Sequence, residues 1–224
     1  KPSIVVLNKS DLADPECLKE WMAWYKQQGR LVIAMDSKGG KGVKQLTALA
    51  QQLAKPKLDH WKARGLKTRS VRTMILGIPN VGKSTLINKL SHRNVAKTAD
   101  KPGETKGKQG VLWPKLEDQV SAYRLAATGA ISDTVFDMET VMTQLITELS
   151  RWYPQALMTR YKLTELSDDP LVTIDMIGHK RGCIVAGGVV DLEKTYKLIL
   201  KEFREGKIGP ISLDRVAEMT EGAI

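Results

Sequence analysis

Two short stretches hold residue types that can do chemistry. The first is Gly77-Ile78-Pro79-Asn80-Val81-Gly82-Lys83-Ser84, a complete G-x-x-x-x-G-K-[ST] loop. Its glycines allow backbone angles that turn successive N–H groups inward on a phosphate. A helix beginning near Lys83 would aim its positive end at the same place. Lys83 offers a cation for the outer phosphates, and Ser84 a hydroxyl for Mg²⁺. The expected phosphate-binding set is Asn80, Val81, Gly82, Lys83, Ser84 and Thr85. The second stretch is Asn8-Lys9-Ser10-Asp11, an N-K-x-D pattern. A carboxylate at Asp11 can accept from both N1–H and the 2-amino group of guanine. Adenine lacks that donor pair, so a buried acceptor would go unpaired, and that penalty discriminates the bases. Asn8 is expected to support the loop and the base edge, and the Lys9 stem to cover the ring.

Both stretches need elements to hold them. Ile4 to Leu7 reads as a buried strand running into Asn8. Met74, Ile75 and Leu76 read as a second such strand before the glycine loop, and Leu86, Ile87 and Leu90 as the helix after it. Asp14 and Pro15 suit an N-cap and a first helical position, with Leu18, Trp21, Met22 and Tyr25 on one core-facing side. Leu31 to Met35 is another strand. Ser37 and Lys38 follow it where a backbone loop would contact guanine, although Asp-Ser-Lys-Gly-Gly is also an ordinary turn. Val43, Leu46, Leu49 and Leu53 mark an amphipathic helix. Lys55 to Arg72 holds seven Lys or Arg and one Trp, with Pro56 and Gly65 as breakers. It reads as an exposed basic connector, either a solvated linker or a nucleic-acid contact.

From Glu117 onward the texture is helical, with helices expected around Leu125 to Ala127, Val141 to Leu149 and Ala156 to Leu163. Gly129, Pro154 and Pro170 are expected to break them. Asp191 can cap a further helix and Gly206 can end it. Leu192, Tyr196, Ile199, Leu200 and Phe203 form its apolar face. Lys194, Lys197, Lys201 and Arg204 form a stripe opposite, the candidate RNA contact or simply a solvated face.

Across the 224 residues 42 % are apolar, enough for a core, and the net charge is +10. The pI of about 9.5 favours an anionic partner. Cys17 and Cys183 are far apart and without clustered histidines, so neither a disulfide framework nor a zinc site is indicated, which suits a reducing cytosol. No apolar run reaches membrane length. A cytoplasmic protein is expected, with no membrane partner. A monomer is expected too, although the sequence does not set the oligomeric state. Lys1-Pro2-Ser3 enters the first strand without a methionine, so an N-terminal portion is expected before it.

The order of the motifs is unusual, because Asn8 precedes Gly77. It resembles that of the circularly permuted GTPases of ribosome assembly. N-K-S-D, G-I-P-N-V-G-K-S-T, P-G-E-T at Pro102 to Thr105, G-V-L-W-P-K at Gly110 to Lys115 and R-G-C-I-V-A-G-G-V-V-D-L-E-K at Arg181 to Lys194 are most similar to the ribosome biogenesis GTPase A family. The resemblance implies an α/β P-loop GTPase domain of circularly permuted motif order over residues 1–114. An all-helical C-terminal domain over residues 115–224, the rRNA-contacting part, would follow it. It implies GTP hydrolysis late in maturation of the large (50S) ribosomal subunit, with GTP or GDP and Mg²⁺ as cofactors and the subunit and its rRNA as partners. Thr105 lies where such GTPases place the switch threonine that meets Mg²⁺ beside Ser84, and Gly110 reads as the glycine of the second switch. Asp100 to Gly103 fits Asp-x-x-Gly formally but overlaps the first switch, so further residues are expected between Gln109 and Gly110. By resemblance Asn80 is the candidate for a K⁺ next to the phosphates. The family's N-terminal segment, with its histidine implicated in hydrolysis, is not visible, so no catalytic residue is assigned. The competing readings are a metabolic P-loop enzyme such as a kinase, and an RNA-binding protein with a degenerate nucleotide site. Asp11 argues against the first, and the intact Lys83 and Ser84 against the second.

Overall fold

The computed structural model describes residues 2–66, 70–91 and 118–221. These fall into two compact units. One comprises residues 2–66, 70–91 and 214–221, and the other residues 118–213.

In the first unit, strand β1 (Ile4–Leu7) pairs in parallel with β2 (Leu31–Ala34), in register from Ile4 opposite Leu31 to Leu7 opposite Ala34. Parallel neighbours need a crossover, and helix α1 (Pro15–Gln27) supplies it. The Asp14 carboxylate starts that helix by accepting from the N–H groups of Glu16 and Cys17, with Pro15 at the first helical position. Helix α2 (Val43–Ala63) and helix α3 (Lys83–Ser91) complete the part around the glycine loop. A small core of Ile33, Met35, Leu46 and Leu86 holds them, with Ile4, Val6, Val43, Ile75 and Leu90 packed on it.

Three expectations for this unit are corrected. Met74 to Leu76 is not a strand. Residues 70–78 have no ladder partner among the described residues, and a strand exists only through its partner's hydrogen bonds. Ile75 packs on the core, while Met74 and Leu76 are 80 % and 70 % exposed, so the run is not buried as a whole. Pro56 does not break the helix, because α2 runs through it with one missing N–H donor. Leu18, Trp21, Met22 and Tyr25 are half-buried instead of core; in α1 only Cys17 is buried. The aromatic rings pack on each other, with Trp21 and Trp24 centroids 5.7 Å apart and Trp24 and Tyr25 5.0 Å apart.

The second unit contains α4 (Gln119–Ala127), α5 (Met138–Trp152), α6 (Pro154–Tyr161), α7 (Pro170–Arg181) and α8 (Leu192–Arg204). Helix α5 packs against the other four, burying Val141, Met142, Leu145, Ile146 and Leu149. Asp118, Asp137, Asp169 and Asp191 cap four of the helices with their carboxylates. Pro154 and Pro170, expected as breakers, stand at the first helical position of α6 and α7, where the missing N–H costs nothing. Helix α7 was not expected. Its buried face is Thr173, Ile174, Ile177 and Gly178, too polar and too small to show as an apolar stripe. Gly178 lets α8 approach, since a Cβ there would lie 2.4 Å from Val190 Cγ1 and 2.9 Å from Thr195 Oγ1.

A buried acid fastens α8 to its neighbours. Glu202 accepts from Arg160 Nε at 3.0 Å and from Arg181 Nη2 at 3.2 Å. Burial opposes its charge, but the Arg160 hydrogen bond and the Arg181 and Arg160 charges outweigh that and hold the carboxyl below its ordinary value. The chain then returns to the first unit, where α9 (Val216–Glu221) packs on α1. There Trp21 Nε1 donates to the Asp214 carbonyl at 3.1 Å, and Arg215 Nη1 lies 3.2 Å from Cys17 Sγ. Residues 214–221 therefore belong with the first unit, not with the helical stretch in which 115–224 were grouped. Among the described residues no helix is long and apolar enough to cross a membrane.

Glu202→Ala should destabilise the second unit by about 3 kcal/mol at neutral pH, because two guanidinium groups lose their buried partner. The folded carboxyl is depressed below its ordinary value, so its contribution is full above that ordinary value and fades as pH falls through the lower folded one. Urea unfolding of wild type and variant across pH should show a constant gap near neutrality that closes in acid. A gap independent of pH would contradict the ionic role.

Candidate functional site

The loop at Asn8 to Asp11 and the glycine loop meet at one side chain. Strands β1 and β2 end side by side, so the loops after them, residues 8–12 and 36–42, leave from the same edge. Carboxyl ends of parallel strands are where α/β folds place ligands. Ser10 N–H donates to the Met35 carbonyl at 3.1 Å and fixes the first loop to the second. Asn8 then ties both to the glycine loop. Its Nδ2 donates to the Val81 carbonyl at 2.7 Å, and its Oδ1 accepts from Ser37 N at 3.0 Å and from Ser37 Oγ at 2.7 Å. Gly82 sits directly beneath this amide with φ +95°, and a Cβ there would fall 2.2 Å from Asn8 Nδ2. Glycine is required there on both counts.

Asp36 shapes the second loop by accepting from Lys38 N at 2.8 Å and Gly39 N at 2.9 Å. The Ser37 and Lys38 amides, expected to face guanine, thus have partners inside the protein, and Ser37 is buried. Asp11 is exposed in the same loop as Asn8. Among the described residues, non-glycine side chains with left-handed φ include Lys9 at +57° and Asn80 at +58°, one in each loop. Such angles are held only where surroundings over-determine them, and ligand clamps are a common place.

The glycine loop encloses its own lysine as well. Lys83 is only 9 % exposed and donates from Nζ to the Ile78 carbonyl at 2.6 Å, so its ammonium lies within the loop's own span. Burial lowers its pKa from the ordinary value. Helix α3 starts at Lys83, and the Leu86 amide closes its first turn on the Gly82 carbonyl at 2.9 Å. These observations fit a nucleotide: a loop whose glycine a side chain would fill, a cation inside it, and a helix N-terminus behind it. Asn80, Val81, Gly82, Lys83, Ser84 and Thr85 stand together there. Ser84 is the described residue suited to Mg²⁺. Thr105 and Gly110 lie outside the described residues.

The α8 stripe belongs to the other unit, and the structure divides it. Lys194 and Lys201 are exposed, and Lys197 pairs with Glu193 one turn away. Arg204 is committed elsewhere. It donates to the carbonyls of Ala126 and Ala127 at 2.9 Å, closing the end of α4, and pairs with Asp133 at 2.8 Å. The sequence reading missed the Asn8–Val81 link, which spans 73 positions, whereas the turn it allowed at Asp-Ser-Lys-Gly-Gly is present, with Asp36 as its acceptor.

The family model described as "50S ribosome-binding GTPase" matches residues 72–205. A "Ribosome biogenesis GTPase A" from Priestia megaterium is 44 % identical over 97 % of this chain and 81 % of its own length. One from Thermotoga maritima is 30 % identical over 98 % of this chain and 79 % of its own. The chain belongs to the ribosome biogenesis GTPase A family. It is similar in structure to GNP-bound YlqF from T. maritima, with a TM-score of 0.64 and 26 % identity over 95 % of this chain and 81 % of that one. The GDP-bound structure of TM YlqF gives 0.63 and 25 %, over 96 % and 83 %. As a ribosome biogenesis GTPase A family member, the chain is a P-loop GTPase of ribosome assembly.

Asn8→Ala should weaken GDP and GTP to the same degree, by about 2 kcal/mol or roughly 30-fold, because it frees both loops without touching the γ-phosphate. Titration calorimetry on both nucleotides checks this. Unchanged affinity would show that the clasp does not organise the site.

Proposed function

We propose that this GTPase acts in late maturation of the large ribosomal subunit, in the cytoplasm, as a guanine-nucleotide switch. The observation that carries the reading is the Asn8 clasp, which joins an exposed Asp11 to the glycine loop through Val81 and Gly82. Asp11 takes the guanine edge, and Asn8 and the Lys9 stem support it. Lys83 and the loop amides hold the β- and γ-phosphates. Mg²⁺ would be held by Ser84 and Thr105, neutralising phosphate charge, and Asn80 would stand beside a K⁺ by its place in the loop. Gly110 would meet the γ-phosphate through its amide.

Asn8 preceding Gly77 supports a circularly permuted order in one sheet, residues 1–114 forming the nucleotide domain. In that order the second switch leads through Trp113-Pro114 into the helical part, so γ-phosphate contacts could reorient it. The exposed cations Lys194, Lys197 and Lys201 are proposed to touch rRNA, while Arg204 holds α4.

Co-sedimentation with large ribosomal subunits tests the reading. Binding should be tighter with a non-hydrolysable GTP analogue than with GDP. Asp11→Asn should lose that response to the GTP analogue and regain it with the xanthosine counterpart, whose 2-oxo group accepts from an amide. Equal binding in the two wild-type states would refute the switch. A variant still driven by the GTP analogue would refute the role of Asp11.

A further inference from the structure

Helix α2 is longer than the core it packs on. Its 21 residues span about 30 Å, yet only its first half has a buried side chain, Leu46. Along that face Leu46, Ala50 and Leu53 follow one another at helical spacing, and the same face continues as Lys57, Trp61 and Arg64. The stripe that enters the core thus becomes basic and aromatic where the core ends. Lys57 and Arg64 are exposed and Trp61 is half-buried. The Lys57 ammonium lies 5.0 Å from the centroid of the Trp61 ring, which holds it over the indole. The end is firmly closed: Leu66 N–H donates to the Trp61 carbonyl at 3.0 Å and Gly65 N–H to the Lys62 carbonyl at 2.9 Å.

The charge here is unspent. Lys55, Lys57, Lys62 and Arg64 form no ion pair among the described residues, and Asp59 is the one carboxylate on this half of the helix. In α8, by contrast, Lys197 and Arg204 both have acidic partners. Complementing the helix dipole accounts for Lys62 in the last turn and Arg64 at the C-cap, but not for Lys55 and Lys57. We propose that the projecting half of α2 is an arm that binds the phosphate backbone of rRNA, through the Lys57, Trp61 and Arg64 face. Chemistry favours RNA over a protein partner: exposed cations beside an aromatic ring suit phosphates and an unstacked base. The inference rests on the ribosome-assembly reading and adds to it a contact surface within the nucleotide-binding unit.

The test is sedimentation of the full-length protein with large-subunit particles and with protein-free rRNA, over a salt series, with the GTP analogue bound. Lys57→Gln/Arg64→Gln should weaken both at least tenfold at physiological salt and lower the salt slope by about two, one for each phosphate contact. Lys19→Gln/Lys26→Gln, with the same change in net charge on α1, should change neither. GDP affinity, intrinsic GTP hydrolysis and melting temperature should be unaltered in both. Wild-type protein that binds no particle in any nucleotide state overturns the ribosome reading and the arm with it. Wild-type binding matched by Lys57→Gln/Arg64→Gln overturns the arm alone, as does an equal loss in the α1 control. Loss on particles without loss on bare rRNA overturns the RNA assignment in favour of a ribosomal protein.

Discussion

The candidate nucleotide site depends on one amide. Asn8 has its donor on the Val81 carbonyl and its acceptor on Ser37, so three loops from distant parts of the chain share a single side chain. An amide is suited to this because it donates and accepts at once. An aspartate could not donate to a carbonyl, and a serine could not reach both partners. Gly82 answers the same constraint from the other side, leaving room for the amide within the phosphate loop. Among the described residues Ile33, Met35, Leu46 and Leu86 form the core beneath, and the hydrogen bonds of Asn8 add position to that packing.

The helical unit is held in another way. A continuous apolar core from α4 to α8 supplies the packing, and arginines lock the helices at its margin. Arg124 pairs with Glu148, Arg160 and Arg181 with Glu202, and Arg204 with Asp133 and two α4 carbonyls. Each of these guanidinium groups reaches across helices, as a planar fork of several donors allows. Lysines in the same unit stay at the surface. This division separates architectural charge from charge open to a partner, and a residue list cannot make it.

That separation shows what was legible in the sequence. The GTPase family was, because its motifs set particular residue types at short, fixed spacings. So was α8, whose cap at Asp191 and buried Tyr196, Ile199 and Leu200 follow from local pattern. Arg204 read as one more stripe cation, since its partners lie 71 to 78 positions away. Met74 to Leu76 read as a strand because an apolar run is local, whereas a ladder needs a neighbour. Pro56 read as a stop, yet flanking residues of good helical propensity carry α2 through it. Helix α7 was missed because close packing at Gly178, not apolar bulk, fixes its place.

The claim beneath everything else is that this arrangement holds a guanine nucleotide in one site made from both motifs. Titration calorimetry of the protein with GDP and with ADP, in Mg²⁺, addresses it most directly. GDP should bind with a single site per chain, and ADP at least about 100-fold more weakly, because the Asp11 acceptors would be left without donors. Equal affinity for the two would mean that the loop at Asn8 to Asp11 does not read the base, and the site as described here would be wrong.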